Sequence, residues 1–148
     1  MTSMSQEEWE KSVIWVGVVA GCVIRQNDAY LLVQEKWHTV YGLWNLPAGH
    51  VDKGSSIEDT AVREVQDETG FLVELIDKVG LYHESATSTV KHVFLAQIIS
   101  GQLKVQHDEL LDARWLSYQE IAELHTSGKL RGEWIWQSIT TVNNRKPN

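Results

Sequence analysis

Glu64, Asp67 and Glu68 stand within five consecutive residues of AVREVQDETGF, residues 61–71. Apolar residues at Ile57, Ala61, Val62 and Val65 predict a helix over Ile57–Thr69, closed by Gly70 as a left-handed cap. At about 100° per residue, with Ile57 at zero, that apolar stripe reaches roughly 140° and the three acids fall at roughly 340°, 280° and 20°. They border and partly enter the buried stripe, while Asp59, Arg63 and Gln66 take the solvated side. Like charges at i,i+3 and i,i+4 repel by roughly a few tenths of a kcal/mol, so something must offset them. A divalent cation is the economical answer, because hard ions such as Mg²⁺ take carboxylate oxygens and also carry substrate phosphates. A solvated acidic face is the competing reading of the spacing alone.

The flanking residues favour the first reading. Upstream runs LWNLPAGHVDKGSSIEDT, a strand and then a loop with Pro47, Gly49 and Gly54 before the helix start. Ser55 with Glu58, or Ser56 with Asp59, has capping-box spacing. Gly49 and Gly54 come near a phosphate-cradling P-loop, but Ser55 stands where that motif requires lysine, and the helix that follows is acidic.

Residues 49–71 resemble the signature of the Nudix hydrolases, G-x5-E-x7-R-E-U-x-E-E-x-G-U with U bulky and apolar: Gly49, Arg63, Glu64, Val65, Glu68, Gly70 and Phe71 match in type and spacing. Two positions depart from it, Ser55 for the first glutamate and Asp67 for the penultimate acid. The resemblance implies a Nudix fold, an α/β/α sandwich around a mixed β-sheet. It also implies hydrolysis of a nucleoside diphosphate linked to another group, with Mg²⁺ or Mn²⁺. By the same resemblance Glu64 and Glu68 are the principal metal ligands, the Ala48 carbonyl adds a further one, and Asp67 contributes less directly. Arg63 pins a neighbouring carboxylate or makes a plain surface pair with Asp67. In QHDELLDARWL, an acidic loop ahead of a strand bearing Trp115, Glu109 is the candidate for a further ligand or for the base that activates water. Glu64 competes for the role of base.

With Pro47 and Pro147 as its two prolines, the chain lacks the proline-bearing signatures of the relatives that split ADP-ribose or NADH. What remains by exclusion is a MutT-type nucleoside triphosphate pyrophosphohydrolase that releases the monophosphate and pyrophosphate. The alternative is a catalytically weak Nudix module that binds a nucleotide or a protein, motivated by Ser55 and Asp67.

The elements that must position these residues are legible as apolar runs between turn residues. Strands are expected at Ile14–Arg25, Tyr30–Glu35, Leu43–Pro47, Leu72–Tyr82 and Val90–Ile99, with a hairpin turn at QNDA, residues 26–29. Two more helices are expected at Tyr118–His125 and Gly132–Asn143. Residues 1–148 read as one domain, with 1–12 as an N-terminal extension.

Composition excludes several classes. Asp and Glu total 20 against 13 Lys and Arg, a formal charge of -7, with no basic stripe for a nucleic acid polymer. The apolar run Val13–Ile24 is too short and too glycine-broken to span a membrane, and the acidic start is unlike a secretory signal. The single cysteine, Cys22, fits a reducing cytoplasm and a place in the core. Of seven tryptophans, Trp37 and Trp44 flank the loop before the signature and are the candidates for substrate contact. Trp9 and the Trp134–Trp136 segment suggest a self-association surface, and with it a homodimer. The six histidines show no metal-ligand spacing.

Overall fold

A computed structural model describes residues 3–145; Pro147 lies outside them. Seven strands form one mixed sheet: β1 (Gly17–Gln26), β2 (Ala29–Glu35), β3 (Trp44–Asn45), β4 (Ala48–His50), β5 (Phe71–Glu84), β6 (Thr89–Gly101) and β7 (Leu110–Ser117). The helices are α1 (Gln6–Ser12), α2 (Ile57–Thr69), α3 (Tyr118–Thr126) and α4 (Glu133–Asn143). The main path runs β3-β2-β1-β6-β5, with β4 on β1 and β7 on β2.

Helices cover both faces, so the central strands are buried on both sides and read as continuous apolar runs. On one face Ala61 and Val65 of α2 join Ala20, Cys22, Ile24, Leu31, Val33 and Phe94. On the other, Ile121 of α3 and Trp134, Ile135, Ile139 and Val142 of α4 join Val23, Tyr30, Leu32, Trp44 and Leu46. This is the expected α/β/α sandwich.

The splay of the sheet makes room for a site. β1 pairs with β2 only beside their hairpin, at Arg25↔Tyr30 and Gln26↔Ala29. There Asn27 and Asp28 adopt left-handed backbone with φ of 51° and 63°, as a two-residue hairpin turn requires. Farther back along β1, β4 takes the pairing instead, through Val19↔His50, Ala20↔Gly49 and Gly21↔Ala48. The chain thus crosses at Leu46–Pro47 from the β2 side of the sheet to β1.

That crossing corrects one expectation: Leu43–Pro47 is not a continuous strand, and only Trp44–Asn45 pairs with β2. Ile14–Arg25 is likewise shortened, because β6 offers its first partner to β1 at Gly17↔Thr89. Ile14 and Trp15, ahead of that point, are 72% and 73% exposed. The extension contains a helix that apolar periodicity does not reveal, since α1 is capped by Ser5 and buries no residue. Trp136 is half-buried, stacked between Tyr118 and His125, and Trp134 is buried, whereas Trp9 and Trp15 remain exposed with their rings edge to face. Among the described residues no helix is long and apolar enough to cross a membrane.

Candidate active site

Helix α2 begins at Ser56, whose side chain accepts the Asp59 N–H, so the second of the two capping alternatives forms. It ends at Gly70, with φ of 83° and its N–H donated to the Gln66 carbonyl. A side chain at residue 70 would also overlap the Gln102 carbonyl oxygen. Between these ends the acids separate as the helical wheel orders them. Glu68 is buried at 7% exposure, Glu64 is half-buried and Asp67 is exposed.

Glu68 Oε1 accepts the Ala48 N–H at 2.9 Å, which ties the helix to the first residue of β4. Glu64 lies against the next residue: a Cβ at Gly49 would stand 2.6 Å from either carboxylate oxygen. The two glutamates, one helical turn apart, therefore face the same two residues of the loop. Arg63 approaches Glu64, with Nη2 3.8 Å from Oε1, and its ion pair is with that glutamate rather than with Asp67. Ser55 is half-buried, and Glu58, a possible replacement for the missing first glutamate, is exposed.

Burial and like-charge repulsion disfavour charge on both glutamates. Burial raises the Glu68 carboxyl well above the usual range and the Glu64 charge raises it further, while the Ala48 N–H works the other way. Glu64 is also raised, first by burial, with Arg63 opposing and Asp67, Glu109 and Asp52 adding to it. Glu109, exposed in the turn before β7, thus bears on both glutamates, and its loop is held by Lys36 Nζ donating to the His107 carbonyl at 2.9 Å. Among the described residues no three His, Cys, Asp or Glu side chains converge closely enough to hold an ion by themselves. The donor set still suits a hard divalent ion: two carboxylates side by side, one of them buried, against a loop whose glycine admits the Glu64 carboxylate. Two concavities of about 380 and 320 Å³, beside α4 and α3, contain none of these acids.

Trp37 is 68% exposed in the β2–β3 loop, while Trp44 is buried in the core with the Arg114 guanidinium 6.0 Å from its ring centre, which leaves Trp37 as the accessible member of the pair. Sequence reasoning missed a polar group beside the glutamates. Glu35, buried on β2, accepts from Asn45 Nδ2 at 2.9 Å and from Arg131 Nη1 at 3.0 Å, and its charge acts on Glu68. The available signal was Asn45 itself, a polar residue at an inward position among apolar neighbours.

The sequence profile of the NUDIX domain matches residues 15–135, taking in β1 through the start of α4. The chain belongs to the Nudix family. A Bacillus subtilis protein, described provisionally as an 8-oxo-dGTP diphosphatase, is 36% identical over 95 residues, 64% of this chain and 62% of its own length. The NAD-capped RNA hydrolase NudC of Vibrio parahaemolyticus is 31% identical over 119 residues, 80% of this chain and 45% of its own length. This Nudix chain therefore spans less than two thirds of either curated relative. A solved Nudix hydrolase from Nitrosomonas europaea is 30% identical with a TM-score of 0.77, covering 90% of this chain and 93% of that one.

Proposed function

We propose that the chain is a divalent-metal-dependent hydrolase of nucleoside diphosphate derivatives, most simply a nucleoside triphosphate pyrophosphohydrolase that releases the monophosphate and pyrophosphate. The observation that carries this reading is the seating of Glu64 and Glu68 against Gly49 and Ala48. Glu64 and Glu68, with the Ala48 carbonyl and with Asp67 or Glu109 through water, would hold Mg²⁺ or Mn²⁺. Bound there, the ion would neutralise phosphate charge and polarise the bond to be cut. The chain's own groups orient that centre: the Ala48 N–H fixes Glu68, and Arg63 steadies Glu64. Glu109, on a loop tethered by Lys36, and Glu64 would compete for the role of taking a proton from water. A free, buried Cys22 is compatible with a reducing compartment such as the cytoplasm.

Release of phosphate or pyrophosphate from nucleoside triphosphates, dinucleotides and nucleotide sugars tests this directly. Turnover with Mg²⁺ or Mn²⁺ that is lost with chelator and in Glu68→Gln is the expected result. Ser55 and Asp67, the two departures from the signature, favour a second reading, a weakly active binding module. Binding of nucleotide without turnover of any compound would establish that module instead.

A further inference from the structure

The end of β2 serves both sides of the carboxylate pair. Its last residue, Glu35, is buried, and its charge acts on Glu68. The next residue, Lys36, is exposed and reaches instead to the turn that carries Glu109. The ladder between β2 and β7 closes at Glu35↔Leu110, and its final step is irregular: Gln34 faces Asp112, so β7 carries Leu111 as an extra residue there. A bulge of this kind disrupts the ladder locally and bends the strand that carries it. Past that pair, residues 106–109 form a tight turn, with the Glu109 and Leu110 N–H groups donated to the Gln106 carbonyl at 3.1 and 2.9 Å. Among the described residues, the one hydrogen bond joining this turn to the β2–β3 loop runs from Lys36 Nζ to the His107 carbonyl, 2.9 Å across 71 residues of sequence.

The choice of acceptor matters. Asp108 and Glu109 stand in the same turn, yet among the described residues neither carboxylate forms an ion pair. Lys36 therefore grips the turn by its backbone and leaves the Glu109 carboxylate without a cation on it. A charge-assisted hydrogen bond is roughly twice as strong as a neutral one, which suits a single anchor. A carboxylate that takes a proton needs the freedom that this anchor leaves it, because a cation bonded to it lowers its basicity.

We propose that Lys36 is a positioning residue for the hydrolysis: its grip on the His107 carbonyl sets Glu109 beside Glu64 and Glu68 with the Glu109 carboxylate free for water. Lys36 acts through the turn and touches neither water nor phosphate in this role. It also begins the loop that carries Trp37, so the acidic turn and the aromatic loop are held as one unit. This inference rests on the hydrolase reading and adds the group that fixes Glu109 in place.

Lys36→Met removes the donor and keeps the apolar stem, and Lys36→Arg restores a donor; the position is exposed, so both variants fold. In metal-free full-length protein, hydrogen exchange at the Glu109 and Leu110 amides should quicken at least about tenfold in Lys36→Met. Exchange at those amides should stay near wild type in Lys36→Arg, and amides of residues 113–116 should be unchanged in both. With metal and a nucleotide that wild type hydrolyses, kcat should fall at least about tenfold in Lys36→Met with KM within about twofold, and Lys36→Arg should recover most of the loss. Glu109→Gln should cost far less in the Lys36→Met background than in wild type, because the two substitutions remove one placement. Unchanged exchange or unchanged kcat in Lys36→Met, a loss confined to KM, additive losses, or full activity of Glu109→Gln overturns this inference alone, since wild-type turnover upholds the hydrolase reading. No turnover by wild type with any compound overturns the hydrolase reading, and the exchange comparison then still decides whether Lys36 holds the turn.

Discussion

The Glu64 carboxylate occupies the space that a side chain at Gly49 would need, with both oxygens 2.6 Å from the position of the missing Cβ. Gly49→Ala should therefore push Glu64 out of register with Glu68. A displacement of about 1 Å at such a centre costs on the order of a hundredfold in kcat/KM, and the overpacking roughly 1–3 kcal/mol of stability. Steady-state kinetics and urea titration of this one variant measure both, and undiminished turnover would place Glu64 outside the working site.

Glu68 leads to a pH dependence of defined sign. Burial, and then the Glu64 charge, raise its carboxyl in the folded state, so at intermediate pH the native protein holds a proton that the unfolded chain has released. Stability of metal-free protein should then fall as pH rises from the ordinary glutamate value, about 4.3, through the raised one. Urea midpoints with chelator present should show that slope, and Glu68→Gln should flatten it. Adding Mg²⁺ or Mn²⁺ should restore more stability at higher pH, because the ion competes with the proton. The same substitution should lower turnover about a hundredfold or more.

Glu84 behaves in the opposite sense. Burial alone would raise its carboxyl, but hydrogen bonds from Lys91 and Thr87, with the charges of Lys91 and Arg131, hold it below the usual value. Lys91 Nζ, on a buried side chain, lies 2.8 Å from Glu84 Oε1. The stability this pair provides is present above the ordinary glutamate pKa and is lost as pH falls through the lowered one. Lys91→Met should cost roughly 1–3 kcal/mol near neutral pH and remove part of the acid limb in pH-dependent thermal unfolding. An unchanged acid limb would show that the pair adds nothing.

Gly70 is required by its backbone and by its surroundings together. With φ of 83°, and with the Gln102 carbonyl where a Cβ would stand, Gly70→Ala should destabilise by about 1–3 kcal/mol. Calorimetry of that variant beside Gly54→Ala separates the two causes. Gly54 also has positive φ, 91°, but open space around it, so its substitution should cost less.

Much of the site was legible because its signals are local. A period of 3.6 residues places Glu68 within the buried stripe, Glu64 beside it and Asp67 toward solvent, and the burial of all three follows that order. The glycine that closes α2 also reads directly from a local steric rule. The boundaries that shifted, at Ile14 and at Leu43–Pro47, are those where a strand lasts only as long as a neighbour is present to bond it. Apolar composition does not report where the neighbour ends.

Residue types and spacing by themselves determined the family, the carboxylate pair and the helix that carries it, because i,i+4 geometry needs no partner from elsewhere in the chain. Tertiary structure alone decided what the pair faces. The Ala48 N–H reaches Glu68 across 20 residues of sequence because β4 pairs with β1. Glu35 and Arg131 meet across 96 because the segment before α4 bonds to Trp44. Contacts of that span depend on which strands lie side by side, and they leave no period in the sequence.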